Sequence, residues 1–179
     1  FGNAATTDAR ANGTISYSDT TAPTVADGTG FTSTSSNGNY GLGANINITA
    51  TMSESVIQGS SFTVTLGTSD EIVLTAAATG TTLSGTYTTG SNDTASDLAI
   101  SSFVAGTVKD IYGNSMTSTS IPSGKNLSDN QAIAFDTAPP TATITGASYN
   151  PTSGVITVTG TNLQTRNVSS PSSTDHKAY

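Results

Sequence analysis

The sequence predicts an all-β fold, a β-sandwich repeated in a tandem array, and three observations indicate it. Of 179 residues, 35 are Thr and 26 are Ser, and β-branched Thr suits the outward face of a strand. Apolar residues alternate with polar ones in short segments separated by Gly, Ser and Asn, and no segment shows a convincing helical pattern. The stretch Asp19–Thr24 returns nearly unchanged as Asp136–Thr141, which is the spacing of one sandwich domain.

These two stretches, the first joint (residues 19–24) and the second joint (residues 136–141), divide the chain into units. Each joint follows a short strand-like segment, at residues 14–18 and at residues 131–135. Pro restricts the backbone at each joint, and Asp places a carboxylate there. Residues 1–18 are therefore predicted to be the tail strand of a preceding unit or a free arm, and residues 19–137 a complete unit. We expect the chain to be a section of a longer array.

Within residues 19–137 the predicted strands follow one another closely. Residues 24–33 open the first strand, and residues 36–43 form a turn cluster. Residues 44–52 alternate with a period of two. This pattern places four apolar side chains on one face: Ile46, Ile48, Ala50 and Met52. Further strands are predicted at residues 62–66, 72–74, 81–87, 98–104 and 106–110. Many short strands at this spacing are typical of a sandwich.

After the second joint, residues 142–149 and 154–160 predict a hairpin with a turn at Asn150–Gly154. Two strands alone are marginally stable in water, so residues 138–163 are predicted to be the start of a second unit. Residues 164–179 show no strand pattern and are predicted to be a disordered or truncated tail.

Three motifs occur in order along the complete unit: Asn37–Val56, Gly106–Asn114 and Asn126–Thr141. They resemble, respectively, the opening strand, the D-x-x-G-N turn and the closing strand with its joint in bacterial and archaeal Ig-like repeats. Such repeats build giant cell-surface proteins, namely S-layer proteins, biofilm adhesins and type I-secreted repeat proteins. The resemblance implies an Ig-like β-sandwich in a tandem array with partial flanking units, at the extracellular cell surface. Residues 148–163 are similar to the start of another Ig-like type.

Composition argues against several function classes. The net charge is −7, which disfavours nucleic acid as a partner, and no apolar stretch is long enough to span a membrane. There is no Cys and a single His, His176, so the chain has too few of the residues that a zinc site or a Ser-His-Asp triad requires. The absence of Trp disfavours a sugar-hydrolysing cleft. We therefore predict that the protein is not an enzyme.

The acidic residues suggest a calcium site at a domain end. Calcium takes six to eight oxygen ligands, mostly from carboxylates, carbonyls and amides. The candidate ligands are Asp19, Glu54, Asp110, Asn114 and Asp136. The alternative is that Asp110 and Asn114 only cap a turn and that Glu54 meets Lys109 or solvent. Other acidic pairs, Asp70 with Glu71 and Asp93 with Asp97, are predicted to be solvated surface charges.

The first functional hypothesis is a structural segment of a surface-layer or adhesin array that is stiffened by calcium and contacts neighbouring copies or domains of the same protein. The second is a filament subunit assembled by β-strand donation, in which residues 1–18 or 142–163 complete a neighbour's sheet. The third, ranked last, is a module that binds cell-surface glycan or ice.

Overall fold

The computed structural model of this protein describes residues 18–139 and 141–163, which form a mostly β structure. Two compact units are present: the first ends at Ala138 and the second begins at Pro139. The predicted arm, residues 1–18, lies outside the described residues except for Ser18, and the predicted tail, residues 164–179, lies outside them entirely. Among the described residues, no helix has the length and apolar character needed to cross a membrane.

The first unit contains nine strands and one short helix within its described residues. In chain order these are β1 (Phe31–Thr32), β2 (Gly38–Tyr40), β3 (Asn45–Val56), β4 (Ser61–Leu66), β5 (Glu71–Thr75), β6 (Gly80–Thr88), β7 (Thr94–Ala95), β8 (Ile100–Val104), α1 (Leu127–Asn130) and β9 (Ile133–Asp136). The predicted all-β class is therefore confirmed.

The strands of the first unit form two sheets. The larger sheet has the order β1-β3-β6-β5-β4-β8, and its neighbouring strands are antiparallel. The smaller sheet has the order β2-β9-β7, in which β9 runs parallel to β2 and antiparallel to β7. Strand β9, which immediately precedes the second joint, is thus held on both sides.

One hydrophobic core joins the two sheets. The predicted inward face of β3 is confirmed, because Ile46, Ile48, Ala50 and Met52 are all buried. The larger sheet also contributes Phe62 and Phe103, whose ring centroids lie 5.2 Å apart. From the smaller sheet, Phe135 packs against Tyr87 of β6 at 5.8 Å. Side chains of both sheets belong to the same buried cluster, as expected for two layers that cover each other's apolar faces.

Several local predictions differ from the structure. Residues 106–110 form only isolated bridges, since Gly106 has a φ of +58° and turns the chain out of the extended conformation. The predicted turn cluster at residues 36–43 contains β2, a strand too short to produce an alternating pattern. The helix α1 was not predicted, because it is a single turn capped by its neighbour Asn126.

The second unit contains the predicted hairpin, which is confirmed as β10 (Thr143–Asn150) and β11 (Val155–Thr161) in an antiparallel pair. The Asn150 carboxamide oxygen accepts a hydrogen bond from the Thr152 N–H at 2.9 Å, and the Gly154 N–H donates to the Asn150 carbonyl at 2.8 Å. The side chain of Asn150 therefore closes the turn, as Asn does in Asx turns. The pairing register shifts between Ile144 and Gly146, which marks a β-bulge.

Candidate functional site

Backbone pairing at the far end of β3 brings three distant acidic residues together. The first joint runs along this end, because the Ser53 N–H donates to the Thr24 carbonyl at 2.8 Å. The same strand end forms a bridge between Val56 and Asp110. Glu54 lies between these two contacts on β3, where the pairing with β6 is interrupted. The sequence segments around residues 19, 54 and 110 therefore converge on one end of the first unit, which we call the entry end.

The carboxylates of Asp19, Glu54 and Asp110 form a compact acidic cluster at the entry end. One oxygen of each lies within 4.8 Å of the others. The Glu54 Oε1 atom is buried and has no hydrogen-bond partner among the described residues. Glu54 as a residue is half-buried, and an unpaired buried carboxylate oxygen is unfavourable without a proton or a cation.

Within the acidic cluster, Asp110 accepts the most hydrogen bonds from described residues. Its side chain is only 1% exposed, and its Oδ1 atom accepts hydrogen bonds from the N–H groups of Tyr112 at 2.9 Å and Asn114 at 2.7 Å. Burial alone would raise the pKa of Asp110, but the hydrogen bonds from the Asn114 side chain and from these backbone N–H groups lower it below its usual value. Asp110 therefore caps its turn and stays ionised there.

Asn114 links the turn to the first joint. Its Nδ2 atom donates to the Asp110 Oδ2 atom at 2.7 Å and to the Asp19 carbonyl oxygen at 2.9 Å. The amide nitrogen, rather than the amide oxygen, faces the acidic cluster. In this arrangement Asn114 positions Asp19 and Asp110 and does not itself present an oxygen ligand.

Glu54 is the member of the acidic cluster whose pKa is raised. Burial raises the pKa of Glu54, and the nearby charges of Asp19 and Asp110 raise it further. A cation bound among the three carboxylates would remove the repulsion between them.

Asp136 does not join the other candidate residues. It ends β9, where its Oδ1 atom accepts a hydrogen bond from the Ala138 N–H at 3.1 Å. The following residue, Thr137, donates through its hydroxyl group to the Gly90 carbonyl at 2.7 Å. Gly90 lies just beyond β6, beside the first residue of β3, Asn45. Asn45 and Glu54 are nine residue steps apart along β3, about 30 Å at 3.3 Å per step. We call this opposite end of the first unit the exit end.

The exit end contains Asp70 and Asp93, one member of each of the two acidic pairs that the sequence analysis predicted to be solvated. The Tyr87 hydroxyl group donates to Asp93 Oδ2 and lies 3.3 Å from Asp70 Oδ2. Burial, followed by the hydrogen bond to Asp93, raises the pKa of Tyr87. Asp70 and Asp93 are thus tied to a core tyrosine. No local sequence signal could show this contact, because strand pairing sets the distance between these loops.

Chemically, the acidic cluster offers three carboxylate groups and the Asp19 segment to a hard cation. These are the oxygen donors that calcium prefers, with water completing the coordination. They include no nitrogen or sulfur ligand of the kind that zinc favours. A comparison of the chain with family models, curated proteins and solved structures finds no match in any of the three.

Proposed function

We propose that the chain is a structural, non-catalytic segment of an extracellular surface-layer or adhesin array, in which calcium stiffens the ends of Ig-like domains. One observation carries this proposal, namely that the two joints lie at opposite ends of the first unit. Asp19 of the first joint belongs to the acidic cluster at the entry end, and the equivalent Asp136 of the second joint lies at the exit end. A chain that enters at one end and leaves at the other suits head-to-tail repetition.

The arrangement of the sheets supports an Ig-like sandwich. Six strands and three strands cover a common core, and the chain crosses between the sheets at each connection into or out of β2 and β7 and at the connection into β9. A tandem array requires each unit to bury a core of its own, as this unit does. The sequence motifs that resemble Ig-like repeats cover β2 and β3, the turn at Asp110, and α1 with β9 and its joint. These elements include the ones that build the entry and exit ends.

The acidic cluster supports calcium as the stiffening ligand. Three carboxylates within 4.8 Å repel one another, and a bound divalent cation would turn that repulsion into attraction. Since Asp19 belongs to the first joint and Asp110 to the body of the unit, the cation would bind the joint to the unit. The joint would then lose freedom of rotation when calcium is present.

The experiment that tests this proposal is thermal unfolding of residues 1–179 in calcium and in chelator. A ligand bound only by the folded state stabilises it, by about 2.7 kcal/mol at a hundredfold excess over the dissociation constant. For a unit of this size we expect the Tm to rise by roughly 10 °C. Calorimetric titration would measure the binding directly.

Asp19 and Asp136 provide a matched pair of variants, because they occupy the same position in the two joints. We expect Asp19→Asn to abolish the calcium-dependent rise in Tm and Asp136→Asn to preserve it. An unchanged Tm at millimolar calcium would remove the metal from the proposal. An equal loss in both variants would show that the ion does not bind at the entry end.

The filament alternative is favoured by one observation, the hairpin of the second unit. Its residues 141–163 contain no charged side chain to block pairing with another strand. By contrast, the outer edge of β8 is capped at its first residue, because the Asn126 side chain exchanges two hydrogen bonds with the Ile100 backbone at 2.8 Å each. Polymers that grow with concentration and resist denaturant would support strand donation over a simple array.

A glycan-binding role has the least support. Aromatic platforms for sugars need several exposed rings together. The side chains of Phe31, Phe62, Phe103 and Phe135 are buried in the core, and the exposed rings of Tyr112 and Tyr149 belong to different units. Most aromatic side chains among the described residues therefore stabilise the first unit.

A further inference from the structure

The hairpin of the second unit is amphipathic across its two faces. Residues directly opposite each other in an antiparallel pair share a face, and the register pairs Tyr149 with Ile156 and Ala147 with Val158. Ile144 lies opposite Gly160 on that same face. We call this set the apolar face: Ile144, Ala147, Tyr149, Ile156, Val158 and Gly160. The other face is mainly polar and carries Thr143, Ser148, Asn150, Val155, Thr157, Thr159 and Thr161.

The β-bulge is what completes the apolar face. Strict alternation from Tyr149 and Ala147 would place Thr145 on the apolar face and Ile144 on the polar one. The register shift between Ile144 and Gly146 inserts one residue and returns Ile144 to the apolar side. The backbone irregularity therefore keeps three large aliphatic side chains and one aromatic ring together.

The apolar face is open to solvent in the described residues. The exposed fractions are 66% for Ile144, 62% for Tyr149, 69% for Ile156 and 46% for Val158. Together with Ala147, these side chains expose roughly 500 Å² of apolar surface, a patch size that marks interaction sites on soluble proteins. A two-stranded hairpin is marginal without a covering layer, so the stability of the second unit depends on what packs there.

We propose that the apolar face is a docking surface for the same face of a second copy of this chain. Two arguments select this occupant. Residues 141–163 carry no charge, so the face matches a neutral partner and contains nothing that would pair with a basic or acidic one. An isologous pair would bury about 1,000 Å² in total, which reaches the lower limit of a specific interface.

The resulting pair would be a small two-layer structure in which two hairpins cover each other. Their rim would be the uncharged turn residues, while the net charge of −7 keeps the rest of each chain apart. An interface of this size gives weak association, with a dissociation constant on the order of micromolar to millimolar. This inference goes beyond the proposed array function and does not depend on calcium.

The test is analytical ultracentrifugation of residues 1–179 over a range of concentrations, in chelator. We expect a reversible monomer–dimer equilibrium for the unaltered chain. Ile156→Thr should raise the dissociation constant at least about tenfold, since it removes a central anchor of the interface. Val155→Thr is the matched control, because Val155 is the adjacent residue, is 54% exposed and lies on the polar face. It should leave the dissociation constant unchanged.

Hydrogen exchange of the amides in β11 shows whether each variant still forms the hairpin. A second variant, Tyr149→Ser, should also weaken the dimer, because it lies opposite Ile156 on the other strand. A monomer at every concentration would overturn the proposal, as would equal association of Ile156→Thr and Val155→Thr with the hairpin intact. A monomer in which Ile156 is protected would show that the same chain covers the face, and would also overturn it. Open-ended polymers that survive Ile156→Thr would assign the contact to strand edges instead.

Discussion

The protonation of Glu54 makes the stability of the first unit depend on pH. Its pKa is raised by burial and by the charges of Asp19 and Asp110, so the folded unit favours the protonated form. A group with a raised pKa stabilises the fold below its unfolded-state pKa, for which the ordinary value is 4.5. That stabilisation is lost as the pH rises through the folded-state pKa. At neutral pH without a cation, Glu54 therefore opposes folding.

We accordingly predict that Glu54→Gln raises the Tm of the calcium-free protein at pH 7. Removing one charge from three carboxylates that lie within 4.8 Å of one another is worth on the order of 1 kcal/mol when water screens the charges, or a few degrees in Tm. The gain over the unaltered chain should shrink as the pH falls towards 4.5, because Glu54 is then protonated. Scanning calorimetry in chelator across pH 4–8 measures it. A gain that is independent of pH would show that the charge of Glu54 is not its cause.

A second residue-scale prediction concerns two glycines with positive φ. Gly106 and Gly59 have φ values of +58° and +83°, where a side chain adds roughly 1–2 kcal/mol of strain. A Cβ atom on Gly106 would also lie 2.1 Å from the Ser61 carbonyl oxygen, whereas one on Gly59 would meet nothing within 4 Å. We expect Gly106→Ala to cost about 3 kcal/mol or more and Gly59→Ala about 1 kcal/mol. Chemical denaturation of both variants provides the comparison, and equal costs would contradict the clash.

The residue scale also shows what the sequence could predict about the site. Asp19 and Glu54 stood out because one recurs in both joints and the other is the only charge in a long alternating strand. We predicted that they lie near Asp110, because one domain end was expected to bring these segments together. The role of Asn114 did not follow, because which amide atom faces the carboxylates depends on the hydrogen bonds of the folded turn. The contact of Tyr87 with Asp93 was missed because strand pairing sets the distance between the segments that carry them.

At the scale of elements, the short helix α1 and its cap close an exposed strand edge. The Asn126 Oδ1 atom accepts hydrogen bonds from the N–H groups of Leu127 at 2.7 Å and Ile100 at 2.8 Å, and its Nδ2 atom donates to the Ile100 carbonyl. One side chain thus satisfies the backbone of the first residue of β8, where a neighbouring strand would otherwise pair. Covering an edge in this manner prevents unwanted pairing with other chains.

We predict that Asn126→Ala lowers the free energy of unfolding of the first unit by about 2–3 kcal/mol, because a helix cap and two strand-edge hydrogen bonds are lost together. Ser128→Ala, a change within the same helical turn that leaves these bonds intact, should cost less than 1 kcal/mol. Urea denaturation followed by circular dichroism measures both. If the two variants lose the same stability, Asn126 does not close the edge as described.

The long alternating strands were predicted well, since burial of one face fixes a period of two over five or more residues. Strands β3, β4 and β6 belong to this group. The short strands β2 and β7 have two or three residues, which is too few to show any period. They exist because β9 passes between them and offers its backbone groups to both. Tertiary pairing, and not local preference, creates them.

At the scale of the whole molecule, the two units differ in how they bury apolar side chains. The first unit encloses its aliphatic and aromatic side chains in one cluster, while the hairpin of the second unit leaves an apolar face open. The sequence predicted both outcomes in part, because it identified a complete set of strands before the second joint and only two strands after it. It could not show which side of the hairpin would be apolar, because the β-bulge changes the alternation.

The placement of the two joints at opposite ends of the first unit has a mechanical consequence. Tension applied to both joints enters through residues 24–26, which are hydrogen-bonded along the end of β3, and leaves through β9 between β2 and β7. The pull is then directed along the strands, so the two hydrogen bonds between residues 24–26 and β3 are loaded together, as are those of β9 with its neighbours. Peeling them apart singly would need much less force. A unit built this way resists stretching through shear, whatever it is attached to.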